Sequence, residues 1–570
     1  MKLTKYIQKT LGAFIFLTLG FSSLVYGQRN EASLFKAMQD EMNRTKNELK
    51  LPGAPPTYFV GYTIADNKYI SVISSLGTTV YTKESPRERV NSVKLYVGDN
   101  NFSSDYSYSG NGINSNTLMT RDDSYDQIRY SFWQTSDLAY KFAVEVYNSK
   151  KSAVKTATIS EEEKALPDML PIATPEVSTP LIPEFNLNKI IYHDLANKLS
   201  RVFCNYPLIF GSSVDIDGIE TVYYYLTSEG TKIKEPVSYV SISIKGSVRN
   251  NLGQVIEDQK TIYAKTFEKL PTEDFLVSSV KDFAERLLVL AKAPNMEEYY
   301  LGPVLFEDEA SAKIFADNLV SPSGILSFRH PYQVVASVTR AENVSEAKNV
   351  KPLEERMGKK VIDSRLNVSN RTDLSDYAGF SLIGAYSYDG QGVAPIKNLS
   401  LIENGILKNM LSSRVPTKKI KVSSGSMRFG VYPRNVVNSL APGVLVISAP
   451  SGETTTTLKT QLLNAAKEEG LDYAYIVRNF ASRSGQYLYK VSVKDGSETL
   501  VTGAEISPVQ FIKLKRVLGV SSEESVYNYL YKESIPTSLI APKSVLIEDI
   551  EIINKPLTIQ KESPLIEKKF

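Results

Sequence analysis

One cysteine, Cys204, stands in a chain of 570 residues. No intrachain disulfide can form, so each domain must hold together through its own packed core. The length allows about two to four domains. Apolar residues make up 42% of the chain and charged residues 23%, which supplies such cores and excludes global disorder or a collagen-like or coiled-coil rod. Cys204 lies in the apolar run RVFCNYPLIF (201–210) and reads as a buried small hydrophobe rather than a reactive thiol.

The first residues read as a targeting segment. Lys2, Lys5 and Lys9 form a basic start, Leu11 to Val25 an apolar stretch, and Val25 and Gly27 the small residues of a cleavage site. The apolar stretch is shorter than the roughly 20 residues a membrane span needs, which favours a cleaved signal over a retained anchor. No lipid-anchored cysteine can follow it. The expectation is an exported protein, periplasmic or secreted, beginning near Gln28 and without a stable membrane anchor. Cleavage removes three lysines and no acid from 66 basic and 63 acidic residues, leaving 63 of each. A formally neutral, exported chain is a poor partner for nucleic acid.

Periodicity divides the remainder in two. Leu34, Phe35, Met38, Met42 and Leu49 mark an opening helix, stopped by Pro52-Gly53. Alternating strands follow over 58–110, then a long helix from about Ser124 to Val154. Five prolines between 167 and 183 forbid regular helix or central strand and predict an extended connector. Strands over 221–267 and a helix from Thr272 to Pro294 complete an α/β domain over 28–295. One short helix, Glu309 to Leu319, then opens a region of short strands and glycine turns. This predicts a mostly β second domain over 296–550, with FIKLKRVLGV (511–520) and SEESVYNYLY (522–531) as late helices and a flexible tail over 551–570. The fold class expected is α+β.

The chemistry is bounded by what is missing. The two histidines, His193 and His330, lie far apart, and neither is followed by glutamate. A zinc hydrolase needs imidazole or thiolate ligands, commonly three, with one coordination position open. Two scattered histidines and one cysteine do not make that set, and both histidines read as hydrogen-bonded structural residues. No Gly-x-Ser-x-Gly elbow, phosphate loop or dinucleotide fingerprint occurs. A spatial Ser-His-Asp triad stays open. The run Glu307-Asp308-Glu309 reads as acidic residues complementing a helix N-terminus.

Several segments in order resemble the TldD/PmbA (TldD/TldE) metallopeptidase family. They are LGPVLFEDEASAKIFADNLVSP (301–322), RMGKKVIDSRLNVSNRTD (356–373), GQGVAPIKNLSLIENGILKNMLSSR (390–414), SSGSMRF (423–429), YPRNVVNSLAPG (432–443) and PVQFIKLKRVLG (508–519). The third is the most specific; LFKAMQDEMNRTKNELKL, a long helix bearing Trp133, and YYYLTSEG match more loosely upstream. The resemblance implies an N-terminal α/β domain with long helices on a sheet and a β-rich C-terminal domain. In the family's metal-bearing subunit a His-Glu-x-x-x-His motif and a downstream cysteine hold zinc. Here Ala316, Asp317 and Ser321 align with the motif, and FASRSGQ (480–486) with the cysteine region. The chain therefore resembles the metal-free PmbA/TldE-type subunit, with no catalytic or metal residue of its own. The resemblance implies zinc in a paralogous TldD-type partner, a heterodimer, and an enclosed chamber for unfolded peptides. Tyr386, Tyr388, Arg414 and Arg428 lie on or beside the matched segments and are candidate peptide-binding residues. A stand-alone binding or scaffold protein and a hydrolase with an unrecognised site are the alternatives.

Overall fold

The computed structural model describes residues 32–105, 115–156, 160–321, 323–329, 353–478 and 486–555. The expected signal over 1–27, His330 and most of FASRSGQ lie outside the described residues.

The amino-terminal half is a seven-stranded sheet with helices on one face. Its elements in chain order are α1 (32–48), β1 (Thr57–Ser75), β2 (Thr78–Val97), β3 (Ser115–Leu118), α2 (Tyr125–Thr156), α3 (Glu161–Lys164), β4 (Val177–Ser178), α4 (Lys189–Arg201), β5 (Ile209–Thr227), β6 (Lys232–Arg249), β7 (Val255–Ala264) and α5 (Glu273–Lys292). Strand order is β3-β2-β1-β5-β6, with β4 and β7 sharing the outer side of β6. Leu76 and Gly77, at φ +50° and +84°, make the tight turn between β1 and β2. Two consecutive left-handed residues match the right-handed twist of long paired strands.

Side chains alternate across a strand, so each strand here serves two interiors. Val60, Tyr62 and Ile64 of β1 meet α1 and α2, with the Tyr62 and Phe132 rings stacked at 4.2 Å. Ile70 and Val72 meet α4 and α5 in a neighbouring core with Tyr192, Phe203, Phe283 and Leu287. The other face of the sheet carries Ala65, Ile219, Tyr223, Tyr225, Ile233 and Val237. That face is covered by Phe429, Val431 and Val436 of the second half. A sheet buried on both sides explains why β5 and β6 lack clean polar alternation.

The second half begins with β8 (Tyr300–Glu307) and α6 (Glu309–Leu319). It continues through β9 (Asn367–Arg371), β10 (Asp376–Tyr377), β11 (Phe380–Ser381), β12 (Asn398–Glu403), β13 (Ile406–Leu407), β14 (Met427–Phe429), β15 (Asn438–Leu440) and β16 (Val444–Ser448). Then come α7 (Thr455–Glu468), β17 (Tyr473–Val477), β18 (Gln486–Ser492), β19 (Glu498–Ile506), β20 (Gly519–Val520), β21 (Glu524–Tyr531), β22 (Ile535–Pro542) and β23 (Ser544–Asn554). One sheet runs β13-β12-β9-β16-β22-β21. The other closes on itself, because β19 pairs with both β18 and β23 around β17 and β8. The main core lies between these sheets, and α6 packs on β8, β21 and β22. The α+β architecture expected from the sequence is the one observed.

Four local expectations need correction. SEESVYNYLY is strand, not helix: β21 pairs along its whole length with β22. FIKLKRVLGV is a 3-10 turn over Phe511–Lys515 followed by β20. Residues 551–554, placed in a tail, are paired strand, since Asn554 faces Ala504. Cys204 is partly exposed in a 3-10 turn, its Sγ 3.8 Å from the Leu76 carbonyl oxygen. Besides the single turn of α3, two helices went unread, α4 and α7. They are capped by Asn188 and Thr454, whose side chains accept from the N–H groups of Ile190 and Thr457.

Candidate functional site at the domain junction

Strand β8 passes into α6 through Asp308, at φ +50° and ψ −120°. The Asp308 N–H donates to the Lys543 carbonyl at 2.7 Å, which holds the corner against β23. Glu307 is the last strand residue, and its carboxylate accepts from Arg478 Nε at 2.7 Å. Of the acidic run, only Glu309 begins the helix.

The three positions aligned with the zinc motif offer no donor set. Ala316 is buried in the main core. Asp317 is exposed and paired with Lys313 at 3.0 Å. Ser321 lies beyond the last residue of α6, and its Oγ donates to the Asn318 carbonyl at 3.0 Å. One ion-paired carboxylate and one committed hydroxyl do not fit zinc, which favours imidazole and thiolate. Among the described residues no group of three or more His, Cys, Asp or Glu side chains could hold a metal. His193, on α4, sits between two hydroxyls, Nδ1 3.2 Å from Thr79 Oγ1 and Nε2 3.1 Å from Thr82 Oγ1.

Beside α6 runs a face of tyrosines that sequence reasoning missed. Tyr527, Tyr529 and Tyr531 of β21 pack against the main core, and the first two rings stack at 5.4 Å. Burial pushes all three hydroxyls up, Tyr531 to about 12. The carboxylate of Asp317 pushes the first two in the same direction. The Tyr529 hydroxyl is buried without a hydrogen-bond partner among the described residues. β21 is an edge strand, and β7 approaches it from the first domain. Tyr263 of β7 and Tyr239 of β6 meet edge to face at 6.0 Å and extend the aromatic lining.

The four residues named from the sequence lie in the seam between the domains. Arg428 is 2% exposed and donates from Nη1 to the carbonyls of Pro442 and Pro536. Its guanidinium stands 4.6 Å from the centre of the Tyr386 ring. Tyr386 donates to the Gly425 carbonyl at 2.7 Å. Tyr388 packs on the cluster of Tyr223 and Val237. Arg414, also 2% exposed, stands apart from this pair. It reaches Glu229 at 2.7 Å and clasps the connector, donating from Nε to the Leu170 carbonyl while its own carbonyl accepts from the Leu170 N–H, both at 2.8 Å. The structure thus joins Tyr386 to Arg428, and both guanidiniums make internal contacts, although Arg414 Nη1 and Arg428 Nε are buried without a hydrogen-bond partner among the described residues.

Titratable partners of this seam were not visible in the sequence. Burial pushes Glu235 up to about 7, although the Ser387 N–H donates to its Oε1 at 2.9 Å. Burial pushes Lys265 down to about 8, helped by nearby Arg428, and pushes Arg428 itself down to about 10. Asp389 is pushed up to about 6 by burial, against the N–H groups of Val393, Gln391 and Met427 that its carboxylate accepts. Lys94 of β2 is pushed down to about 8 by burial, while Asp105 and Asp389 oppose that. Perturbed groups gathered in one junction are the physical mark of a functional site, though structural networks share it. Their signal was a charged residue on the same strand face as Ile233, Val237 and Tyr223, legible only once that face is known to be covered.

Comparison with known proteins fits this architecture. Residues 329–554 match the family model of the PmbA/TldA metallopeptidase C-terminal domain. A Thermotoga maritima structure described as a modulator of a DNA gyrase covers 90% of this chain and 100% of its own, at 14% identity and TM-score 0.57. TldE from Thermococcus kodakarensis covers 91% and 100%, at 12% identity and TM-score 0.55. A Bacteroides thetaiotaomicron structure described as a DNA gyrase modulator covers 91% and 98%, at 12% identity and TM-score 0.54. At these identities the likeness is one of fold. No curated protein matches the chain in sequence.

Proposed function

We propose, from a chain whose residues 329–554 match the PmbA/TldA metallopeptidase C-terminal domain, that this protein is the exported, non-catalytic partner subunit of a peptidase of that type. It acts in the periplasm or outside the cell after cleavage near Gly27. A paralogous TldD-type subunit carries the zinc and performs the hydrolysis. This chain helps to enclose and bind the unfolded peptide.

The observation that supports the reading is the helix α6. By the sequence resemblance it is the helix on which the family's ligands would stand, and it offers an alanine and an ion-paired aspartate, with a serine just beyond it. Peptide binding is supported by the edge strand β21 beside it. A free strand edge holds an extended peptide through main-chain hydrogen bonds, with little demand on sequence. Tyrosines on such a strand add apolar contact at low entropic cost.

The test is to purify this chain alone, an exported paralogue bearing His-Glu-x-x-x-His alone, and the two together, and to assay each for cleavage of an unfolded peptide. The expected result is a stable pair that cleaves and a zinc content confined to the paralogue. Tyr527→Ala combined with Tyr529→Ala should raise the KM of the pair more than it lowers kcat. Cleavage by this chain alone would establish the hydrolase alternative. Failure to bind the paralogue or to alter its activity would leave a stand-alone binding or scaffold protein.

A further inference from the structure

The seam between the two domains holds a carboxyl group in an unusual setting. Glu235 lies on the covered face of β6, between Ile233 and Val237, opposite Tyr223 of β5. It is 2% exposed. One oxygen, Oε1, accepts the Ser387 N–H from the second domain at 2.9 Å. The other, Oε2, is buried and has no hydrogen-bond partner among the described residues. Lys265 follows β7 and crosses the same seam: its N–H donates to Ser381 Oγ at 3.1 Å and its Nζ to the Ala385 carbonyl at 3.4 Å. Arg428 comes from β14 of the second domain, with Tyr386 over its guanidinium. Glu220 of β5 lies beyond Lys265 and acts on it electrostatically.

We propose that Glu235 is a pH-graded clasp between the two domains: protonated, it seats the amino-terminal sheet firmly on the carboxy-terminal domain, and ionised, it loosens that seat.

The argument is one of burial and partners. An ionised carboxylate needs several donors, and this one has the Ser387 N–H, help from the Tyr388 N–H, and two cations whose own charges are also penalised by burial. An oxygen without a donor makes the charged form costly in a way the neutral form is not. The docked state therefore binds a proton that the undocked, hydrated carboxyl releases. Docking is strongest below the ordinary glutamate range and weakens as pH rises through about 7, where the docked carboxyl ionises. Lys265 works in a separate window. Burial disfavours its charged form without neutralising it below about 8, so its contribution appears only as pH rises past that value. Between pH 5 and 8 Asp389 also titrates, at about 6, but it takes its N–H donors from Gln391, Val393 and Met427 on its own side of the seam, so the carboxyl that joins the two sides is Glu235. This inference rests on the seam and is independent of the peptidase reading.

The experiment is amide hydrogen exchange on the full chain, corrected for the intrinsic pH dependence of exchange. Protection across residues 384–388 and 233–237 is compared at pH 5 and pH 8, with the amides of α7 as an internal reference. Wild-type protection across the seam is expected to fall on the order of 100-fold from pH 5 to pH 8 while α7 holds steady. Glu235→Gln should abolish that fall. Lys265→Met removes a cation that favours ionisation, so it should move the fall to higher pH; this second variant reports even if Glu235→Gln does not fold. Equal protection at both pH values in the wild type would overturn the proposal. So would a fall that survives Glu235→Gln, or one that Lys265→Met leaves in place.

Discussion

Asp308 shows what one residue can carry. It turns β8 into α6 at φ +50° and ψ −120°, a conformation costing an L-residue about 1–3 kcal/mol. Glycine adopts it freely and loses about 0.5–1 kcal/mol of that gain through the entropy of its unfolded chain. Asp308→Gly should therefore raise stability by about 1 kcal/mol, seen as a higher thermal midpoint, whereas Asp308→Val should lower it. An unchanged or lower midpoint for the glycine variant would mean that the corner is not strained. Arg414 makes the opposite case. Its guanidinium joins Glu229 to the connector carbonyl at Leu170, all at low exposure. Removing one partner of a buried pair typically costs about 3–5 kcal/mol, and Glu229 keeps some water contact, so Arg414→Ala should cost about 3 kcal/mol. Urea unfolding measures it, and a loss under 1 kcal/mol would show that water replaces the pair. In the sequence Arg414 advertises charge. Nothing there says that it points inward, because its burial is settled by segments more than 180 positions away.

At the scale of elements, periodicity was readable where a single face is buried. Helix α5 presents Leu276, Val280, Phe283 and Leu287 to one core, and helical spacing reveals it. Strand β21 was misread because it carries partly buried apolar residues on both faces. Its tyrosines at 527, 529 and 531 turn to the main core, while Val526 joins Leu382 and Tyr377 on the other side. With apolar residues on both faces the alternation disappears, and Val526, Tyr527 and Leu530 mimic a helical stripe. Helix α7 was hidden by its own start, since threonines at 454–457 favour strand. The signals that identify it are Leu458, Leu462 and Ala466 at four-residue spacing, with Gly470 just past the end. Its cap is worth testing. Thr454 Oγ1 accepts the Thr457 N–H at 3.2 Å. Thr454→Ala should cost about 1 kcal/mol, and Thr454→Ser much less. Equal midpoints for the two variants would show that water caps the helix equally well.

At the scale of the whole molecule, the order of helices and strands told the fold class, but the seating of one half on the other could not be read. The sequence marks no partner for the second face of the first sheet, so Glu235, Asp389 and Lys94 looked like ordinary strand and loop charges. Their burial gives the protein a pH dependence with a definite sign. Asp66, Asp217, Glu220, Glu235, Glu309 and Asp389 are all raised by burial. For each, the native state holds a proton more tightly than the unfolded chain, so their joint contribution is present below the ordinary carboxylate range and is lost as pH climbs to about 6 for Asp389 and about 7 for Glu235. Asp363 and Glu498, held by Arg365 and by Arg478 with Lys459, are lowered despite partial burial and act in reverse. Their contribution is present above the ordinary range and disappears as pH falls below it. The two sets leave a window between them. Stability of the full chain should pass through a maximum in the ordinary carboxylate range, about pH 4, with a higher urea midpoint there than at either pH 2 or pH 8. A midpoint that rises steadily from pH 5 to pH 8 would mean that the buried carboxyls ionise without penalty, and that the seam between the domains is wet.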